Sequence, residues 1–235
     1  MDMKKNNRFL HSIIFINILI IVLTILFIVL ISLYNNKDYY SKNINKIVEI
    51  IAYNSEDEKS YGTGWFIDNE TIVTNFHVLS YQKSGERISY DLFEIRFYDE
   101  EKYEKVEMFK FDEKNDIAFL KYKGNHIHSY FNYQMDYKTT EQCFCIGNFL
   151  NYGLSYKSGY ISLEAVNLSY NDQSANYIQC LLNIGQGDSG APLFNKKNEI
   201  IGMITFRTKG PSGTTEQGFA YAIPIERIIM SFNEL

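Results

Sequence analysis

Residues Ile13 to Leu33 form an apolar run of 21 that only Asn17, Thr24 and Ser32 interrupt, with no charged side chain in it. Wound into a helix rising about 1.5 Å per residue, such a run is roughly 30 Å long, the thickness of a bilayer's hydrocarbon core. A cleaved signal peptide would carry a shorter apolar stretch, about 7–15 residues, ending in small side chains. Here the run closes on Ile31-Ser32-Leu33-Tyr34-Asn35. A helix in a domain core would keep a polar face, and this segment has none. The sequence therefore predicts a signal anchor over residues 12–34, in contact with membrane lipid, between a tail of residues 1–11 and a polar spacer of residues 35–45. Lys4, Lys5 and Arg8 precede the span, which favours a single-pass cell-membrane protein with its N-terminus in the cytoplasm and its domain outside. Lys37, Lys42 and Lys46 weaken that bias, so a cytoplasm-facing domain stays open.

From Lys46 the pattern changes to short β-branched and aromatic runs bounded by turn residues. Expected strands are 47–53, 64–67, 71–74, 93–98, 117–122, 143–146, 159–162, 177–180, 200–206 and 218–223. Asp68-Asn69-Glu70 is a hairpin turn between the second and third. Residues 122–142 read as a link between two halves, and a short helix starts near Pro224 and covers Ile225 to Phe232. No long helical pattern separates the strands, so the class is all-β, a barrel or a sandwich. A net charge of −5 argues against a nucleic-acid partner. Three cysteines (Cys143, Cys145 and Cys180) do not make a disulfide scaffold, although one bridge is possible.

Three residues carry candidate chemistry. Ser189 lies in Gly185-Gln186-Gly187-Asp188-Ser189-Gly190-Ala191-Pro192-Leu193. Acyl transfer by a hydroxyl needs a base to take its proton, a group to orient that base, and donors where an oxyanion forms. Glycines around a serine let the backbone turn sharply and aim the amides of Gly187 and Ser189 at one spot. His77 follows a strand in Thr74-Asn75-Phe76-His77-Val78-Leu79, and Asp116 starts one in Asn115-Asp116-Ile117-Ala118-Phe119-Leu120-Lys121. Singly, each has a plain structural reading, as a packed histidine or a turn aspartate. Their order and contexts together point to a nucleophile, its base and an orienting carboxylate.

These motifs resemble those of the trypsin-like serine proteases, in particular the bacterial Deg and glutamyl-endopeptidase groups. Gly62-Thr63-Gly64-Trp65-Phe66-Ile67 resembles their entry hairpin, and residues 74–78 and 116–121 their histidine and aspartate motifs. Gly147-Asn148-Phe149 to Gly153, with Ser158-Gly159-Tyr160-Ile161-Ser162, resembles the start of their second barrel. Gly187-Asp188-Ser189-Gly190 matches the serine motif, and Gly218-Phe219-Ala220-Tyr221-Ala222-Ile223-Pro224 the closing strand. The resemblance runs collinearly over about residues 46–232 and implies two six-stranded antiparallel β-barrels behind the transmembrane helix. Within a domain of residues 46–235, barrel one would be about 46–123 and barrel two about 140–226. It implies His77, Asp116 and Ser189 as a catalytic triad, and Gly187, Asp188 and Ser189 as the oxyanion hole. The substrates would be proteins or peptides cleaved through an acyl-enzyme, in quality control or surface processing. The alternatives are a catalytically silent peptide-binding module on the same fold and a cytoplasm-facing defence or signalling protease.

Several positions depart from the family pattern. Ala191 stands where many members have glycine. In animal digestive enzymes the aspartate at position 188 pairs with an N-terminus freed by cleavage. No Ile-Val-Gly-Gly-like start occurs here, so Asp188 is expected to have local partners. No PDZ-type domain follows the closing strand, so the cage assembly of Deg proteases is not expected, and nothing in the sequence supports an oligomer. The pocket wall is expected to include Asn183, Ile184, Ile204, Thr205, Phe206 and Arg207, with the substrate adding as a strand along 205–207. Ile204 replaces the histidine that reads glutamate in glutamyl endopeptidases, which favours an apolar residue at the cleaved position. His126-x-His128 and Cys143-x-Cys145 could supply a Cys2His2 zinc set, but the spacing is unusual and buried cysteine is common in β cores. No metal or cofactor is expected.

Overall fold

The structure, a computed structural model, describes residues 3–126, 128–170, 173–206 and 218–234. Residues 1–42 and 43–235 form two separate compact units. The first is α1 (Met3–Asn43), whose segment Ile13–Ser32 is long and apolar enough to cross a membrane and leaves its large side chains exposed. The helix does not stop at the expected spacer. Residues 35–43 contain neither glycine nor proline, so nothing in them breaks the hydrogen-bond ladder. The second unit starts at Asn43, three residues before the expected boundary. Ile44 is buried in a 3-10 turn there, and the Asn198 amide donates to Asn43 Oδ1 at 3.1 Å.

The chain then forms β1 (Ile47–Tyr53), β2 (Lys59–Phe66), β3 (Thr71–Thr74), β4 (Ser80–Lys83), β5 (Glu86–Ser89), β6 (Leu92–Arg96), β7 (Glu104–Asp112) and β8 (Ile117–Lys121). Six of these close into a barrel in the order β1-β2-β3-β8-β7-β6, while β4 and β5 form a separate hairpin. β9 (Gln142–Gly147), β10 (Ser155–Tyr170), β11 (Gln173–Leu181), β12 (Pro192–Asn195), β13 (Ile200–Phe206) and β14 (Phe219–Pro224) close a second barrel in the order β10-β11-β14-β13-β12-β9. Pairing throughout both barrels is antiparallel. Each barrel has its own apolar interior. Val48, Ile50, Phe66, Ile72, Ile95 and Leu120 fill the first, and Cys143, Cys145, Ile178, Cys180, Leu193 and Ile204 the second.

Aromatic side chains join the halves. Trp65 of β2 meets Phe131 of the link edge-on, with ring centroids 6.4 Å apart. Phe131 meets Phe194 of β12 at 5.0 Å, and Phe194 stacks on Phe144 of β9 at 4.7 Å. Such pairs add about 0.5–1.5 kcal/mol each beyond the area they bury. The terminal helix α2 (Ile225–Glu234) leaves the second barrel and reaches back to the first. Lys110 Nζ donates to the Phe232 carbonyl at 2.6 Å, and Ser231 Oγ donates to Asp112 Oδ2 at 3.1 Å. That second contact braces the turn that leads into Asp116.

Candidate active site

Each candidate residue is set by a local device. His77 sits in a 3-10 turn over Phe76–Val78, just after β3. The turn is pinned because Phe76 is buried against Phe111, their rings stacked 4.5 Å apart, and Val78 is buried as well. Asp116 closes the β7–β8 turn with a φ of 57°, a left-handed conformation that non-glycine residues adopt at a cost and that clusters at functional positions. Asp112 holds this turn by accepting from the Asn115 amide at 3.0 Å. The Asp116 carbonyl is tied to the histidine turn by Asn75 Nδ2 at 3.0 Å.

His77 and Asp116 come together. Nδ1 of His77 lies 2.7 Å from Oδ2 of Asp116, and the His77 amide donates to Oδ1 at 2.9 Å. The carboxylate is buried, whereas the imidazole keeps 26% of its side-chain surface exposed. With Nδ1 facing a carboxylate, that nitrogen carries the proton and Nε2 is left as the basic atom. Oδ2 accepts a further bond from Thr205 Oγ1 at 2.9 Å. Thr205 therefore has a role that the sequence reading did not give it: its side chain orients Asp116 across the barrel interface instead of lining an open wall. Its carbonyl accepts from Ser189 Oγ at 3.1 Å, which brings the serine to the same strand.

The serine turn is held by Thr63 of β2. The Thr63 amide donates to the Ser189 carbonyl at 2.9 Å, its hydroxyl donates to the Gly187 carbonyl at 2.8 Å, and the Asn148 amide donates to that hydroxyl at 2.9 Å. Gly187 and Gly190 have φ of +92° and +87°, and a Cβ on either would run into a backbone carbonyl, of Asn148 or of Thr63. Among the described residues, no acceptor within the fold takes the amides of Gly187 and Ser189. The Asp188 amide differs from the expectation. It donates to the Gly185 carbonyl at 3.2 Å and so turns away from the hole. The Asp188 carboxylate is wholly buried, where it accepts from the Gly185 amide at 2.8 Å and pairs with Lys157 Nζ of β10 at 2.7 Å. The expected local partner of Asp188 is thus a lysine on a barrel strand, a pairing for which the sequence around Lys157 carries no motif.

The expected pocket residues separate. Asn183 is exposed, while Ile184 and Ile204 are buried in the core of the second barrel, with Ile204 fully so. Phe206 ends β13, and Arg207 lies outside the described residues. Beside the serine turn, a cavity of about 360 Å³ is lined by Lys59, Tyr61, Leu150, Asn151, Gln186 and Gly187. The two candidate zinc pairs do not meet. His126 stacks on Phe97 and His128 on Phe66, both in barrel one, whereas Cys143 and Cys145 are free thiols in the core of barrel two. No group of metal-ligating side chains occurs among the described residues.

A family profile described as a trypsin-like peptidase domain matches residues 62–203. The DegP-like probable periplasmic serine endoprotease of Ectopseudomonas mendocina is 26% identical over 192 residues, covering 81% of this chain and 38% of that protein. Its counterpart in Halomonas elongata is 31% identical over 178 residues, covering 73% and 34%. The chain thus spans little more than a third of the length of these relatives. Among solved structures, the HtrA-type protease AlgW with a tripeptide superposes with a TM-score of 0.70 at 21% identity, covering 84% of this chain and 64% of that one. The active form of a protease from M. tuberculosis gives 0.72 at 16% identity, covering 84% and 83%. At these identities the superpositions establish the two-barrel fold.

Proposed function

Because the chain belongs to the trypsin-like peptidase domain family, we propose that it is a membrane-tethered serine endopeptidase with Ser189 as nucleophile, His77 as general base and acid, and Asp116 as the orienting carboxylate. The observation that carries this reading is the 2.7 Å contact between His77 Nδ1 and a buried Asp116, next to a serine whose turn leaves two amides free. The Ser189 hydroxyl swings from the Thr205 carbonyl to Nε2 of His77. Oγ attacks the substrate carbonyl carbon while Nε2 takes its proton. The amides of Gly187 and Ser189 stabilise the oxyanion, each such donor lowering the barrier by about 2.7–4 kcal/mol. Collapse expels the amine, which takes the proton from Nε2 and leaves an acyl-serine. Water, deprotonated by His77, then releases the acid and restores the hydroxyl.

The cavity beside the serine turn is lined by no carboxylate that would attract lysine or arginine, which supports cleavage after an apolar residue. The anchor at residues 12–34 and the basic residues before it support a domain held outside the cytoplasm, where curated relatives are named as periplasmic. Protein quality control or surface processing is the role that fits this placement. The deciding experiment treats the full chain in detergent, and its Ser189→Ala variant, with a fluorophosphonate probe. Labelling of the unaltered chain alone is the expected result. If neither chain labels, the site serves peptide binding and the proposal fails.

A further inference from the structure

Three segments meet where the β domain begins, at Asn43. The Asn198 amide donates to Asn43 Oδ1 at 3.1 Å, and Lys46 Nζ lies 4.7 Å from the centroid of the Phe131 ring. The Ile200 amide donates to the Asn132 carbonyl at 3.0 Å, and the Ile200 carbonyl accepts from the Gln134 amide at 2.9 Å. The root of the domain is therefore built from residues 43–46, the link around 130–135 and the turn from Asn195 to Ile200. Phe131 faces inward, buried against Trp65 and Phe194. Tyr130, Tyr133 and Met135 are exposed, and so are Lys196 and Lys197 at the tip of the turn. Glu199, the carboxylate of that turn, accepts from Asn195 Nδ2 at 2.8 Å. Asp136 and Lys138, exposed beside Met135, cancel in charge. The exposed side chains belong to neither barrel core, and none enters the proton transfers described above.

We propose that this root face rests on the bilayer surface, with Tyr130 and Tyr133 in the headgroup layer and Lys196 and Lys197 against anionic phospholipid. The inference rests on the anchor reading given above and extends it from the helix to the domain. Chain length sets the reach. Residues 33–42 separate Ser32, where the apolar segment ends, from Asn43. At about 1.5 Å per helical residue, the chain carries Asn43 no further than about 16 Å from the hydrocarbon edge. The headgroup layer itself occupies about 5–8 Å of that span. The side chains suit this layer. Tyrosine keeps its ring among apolar groups and its hydroxyl in water, which concentrates it at membrane interfaces. Lysine lays its methylenes on apolar surface and holds its ammonium out toward phosphate. Near an anionic surface each such lysine strengthens binding by about fivefold.

Trp65 is the only tryptophan in the chain, and it lies under this face with its ring 6.4 Å from that of Phe131. It therefore reports on the root without a label. The full chain is reconstituted in vesicles of phosphatidylcholine and phosphatidylglycerol that carry a lipid with a nitroxide on its headgroup. Quenching of Trp65 is the expected result. Lys196→Gln with Lys197→Gln is expected to lower the ratio of docked to undocked domain by about fivefold per lysine. Tyr130→Ser with Tyr133→Ser is expected to abolish the quenching, with the circular dichroism spectrum unchanged in both pairs. Added salt is expected to weaken the quenching of the unaltered chain, a readout that needs no variant. Equal quenching in pure phosphatidylcholine, or undiminished quenching in both pairs of variants, would overturn the proposal. A chain that floats with the vesicles and is not quenched overturns this inference alone. A chain that does not float overturns the anchor reading and this inference together.

Discussion

The Asp116 carboxylate takes three hydrogen bonds, two from His77 and one from Thr205. Changing Asp116 to asparagine removes the charge and favours the wrong imidazole tautomer. The expected fall in kcat is about 10⁴-fold, the size found when a triad carboxylate is neutralised, with folding unchanged by circular dichroism. Thr205→Val removes one bond to a charged acceptor, worth about 1.5–3 kcal/mol. Peptide turnover is expected to drop by roughly tenfold or more, whereas Thr205→Ser keeps most of it. If the valine variant turns over at the unaltered rate, Thr205 has no part in holding Asp116. Asp116 and Ser189 were legible in the sequence because each is embedded in a local motif. The contribution of Thr205 was not, because it arises only when β13 of one barrel is brought against the β7–β8 turn of the other.

At the scale of the elements, backbone conformation is the strictest requirement. Gly187→Ala would place a methyl group against the Asn148 carbonyl at a φ suited to glycine. Loss of fluorophosphonate labelling is expected, together with a lowered Tm. Strand pairing contributes in another way. Glu49 of β1 and Arg96 of β6 face each other in register and form an ion pair at 2.9 Å, with Glu49 nearly buried and Arg96 30% exposed. Hydrogen bonding to Glu49 raises the Arg96 pKa. Glu49→Ala leaves the guanidinium half-covered and unpaired, at a cost of about 1–2 kcal/mol after allowing for solvent. In a domain of this size that lowers Tm by about 2–8 °C, measurable by differential scanning fluorimetry. Four strands, β4, β5, β7 and β12, were not legible. β7 runs Glu104-Lys105-Val106-Glu107-Met108-Phe109-Lys110-Phe111-Asp112, where exposed Phe109 and Phe111 on one face and charged Lys110 and Asp112 on the other break the alternation, and β12 follows directly on the glycine-rich serine turn. The ten strands that were read have dense β-branched or aromatic runs, which is what a buried strand face requires.

For the molecule as a whole, the division at Asn43 has a direct consequence. Residues 43–235 contain both barrel cores and the candidate site, so they are expected to fold without α1, to stay monodisperse without detergent, and to label as the full chain does. Aggregation of that fragment would show that the helix supplies part of the fold. The three thiols lie in the core of the second barrel, where burial pushes Cys145 well above its ordinary pKa and a bond with Cys143 together with burial does the same for Cys180. They are expected to resist a thiol reagent at pH 8 until the chain is denatured. The apolar run and the strand pattern were enough to separate the long apolar helix from the β domain. The helix's continuation to Asn43 was not legible, because polarity marks where a chain leaves lipid and says nothing about where its backbone stops winding. Closure of both barrels has a consequence wherever copies of this chain meet. Unpaired strand edges are where neighbouring proteins zip together. A closed barrel offers no such edge, so neither barrel gives a second copy a strand on which to build.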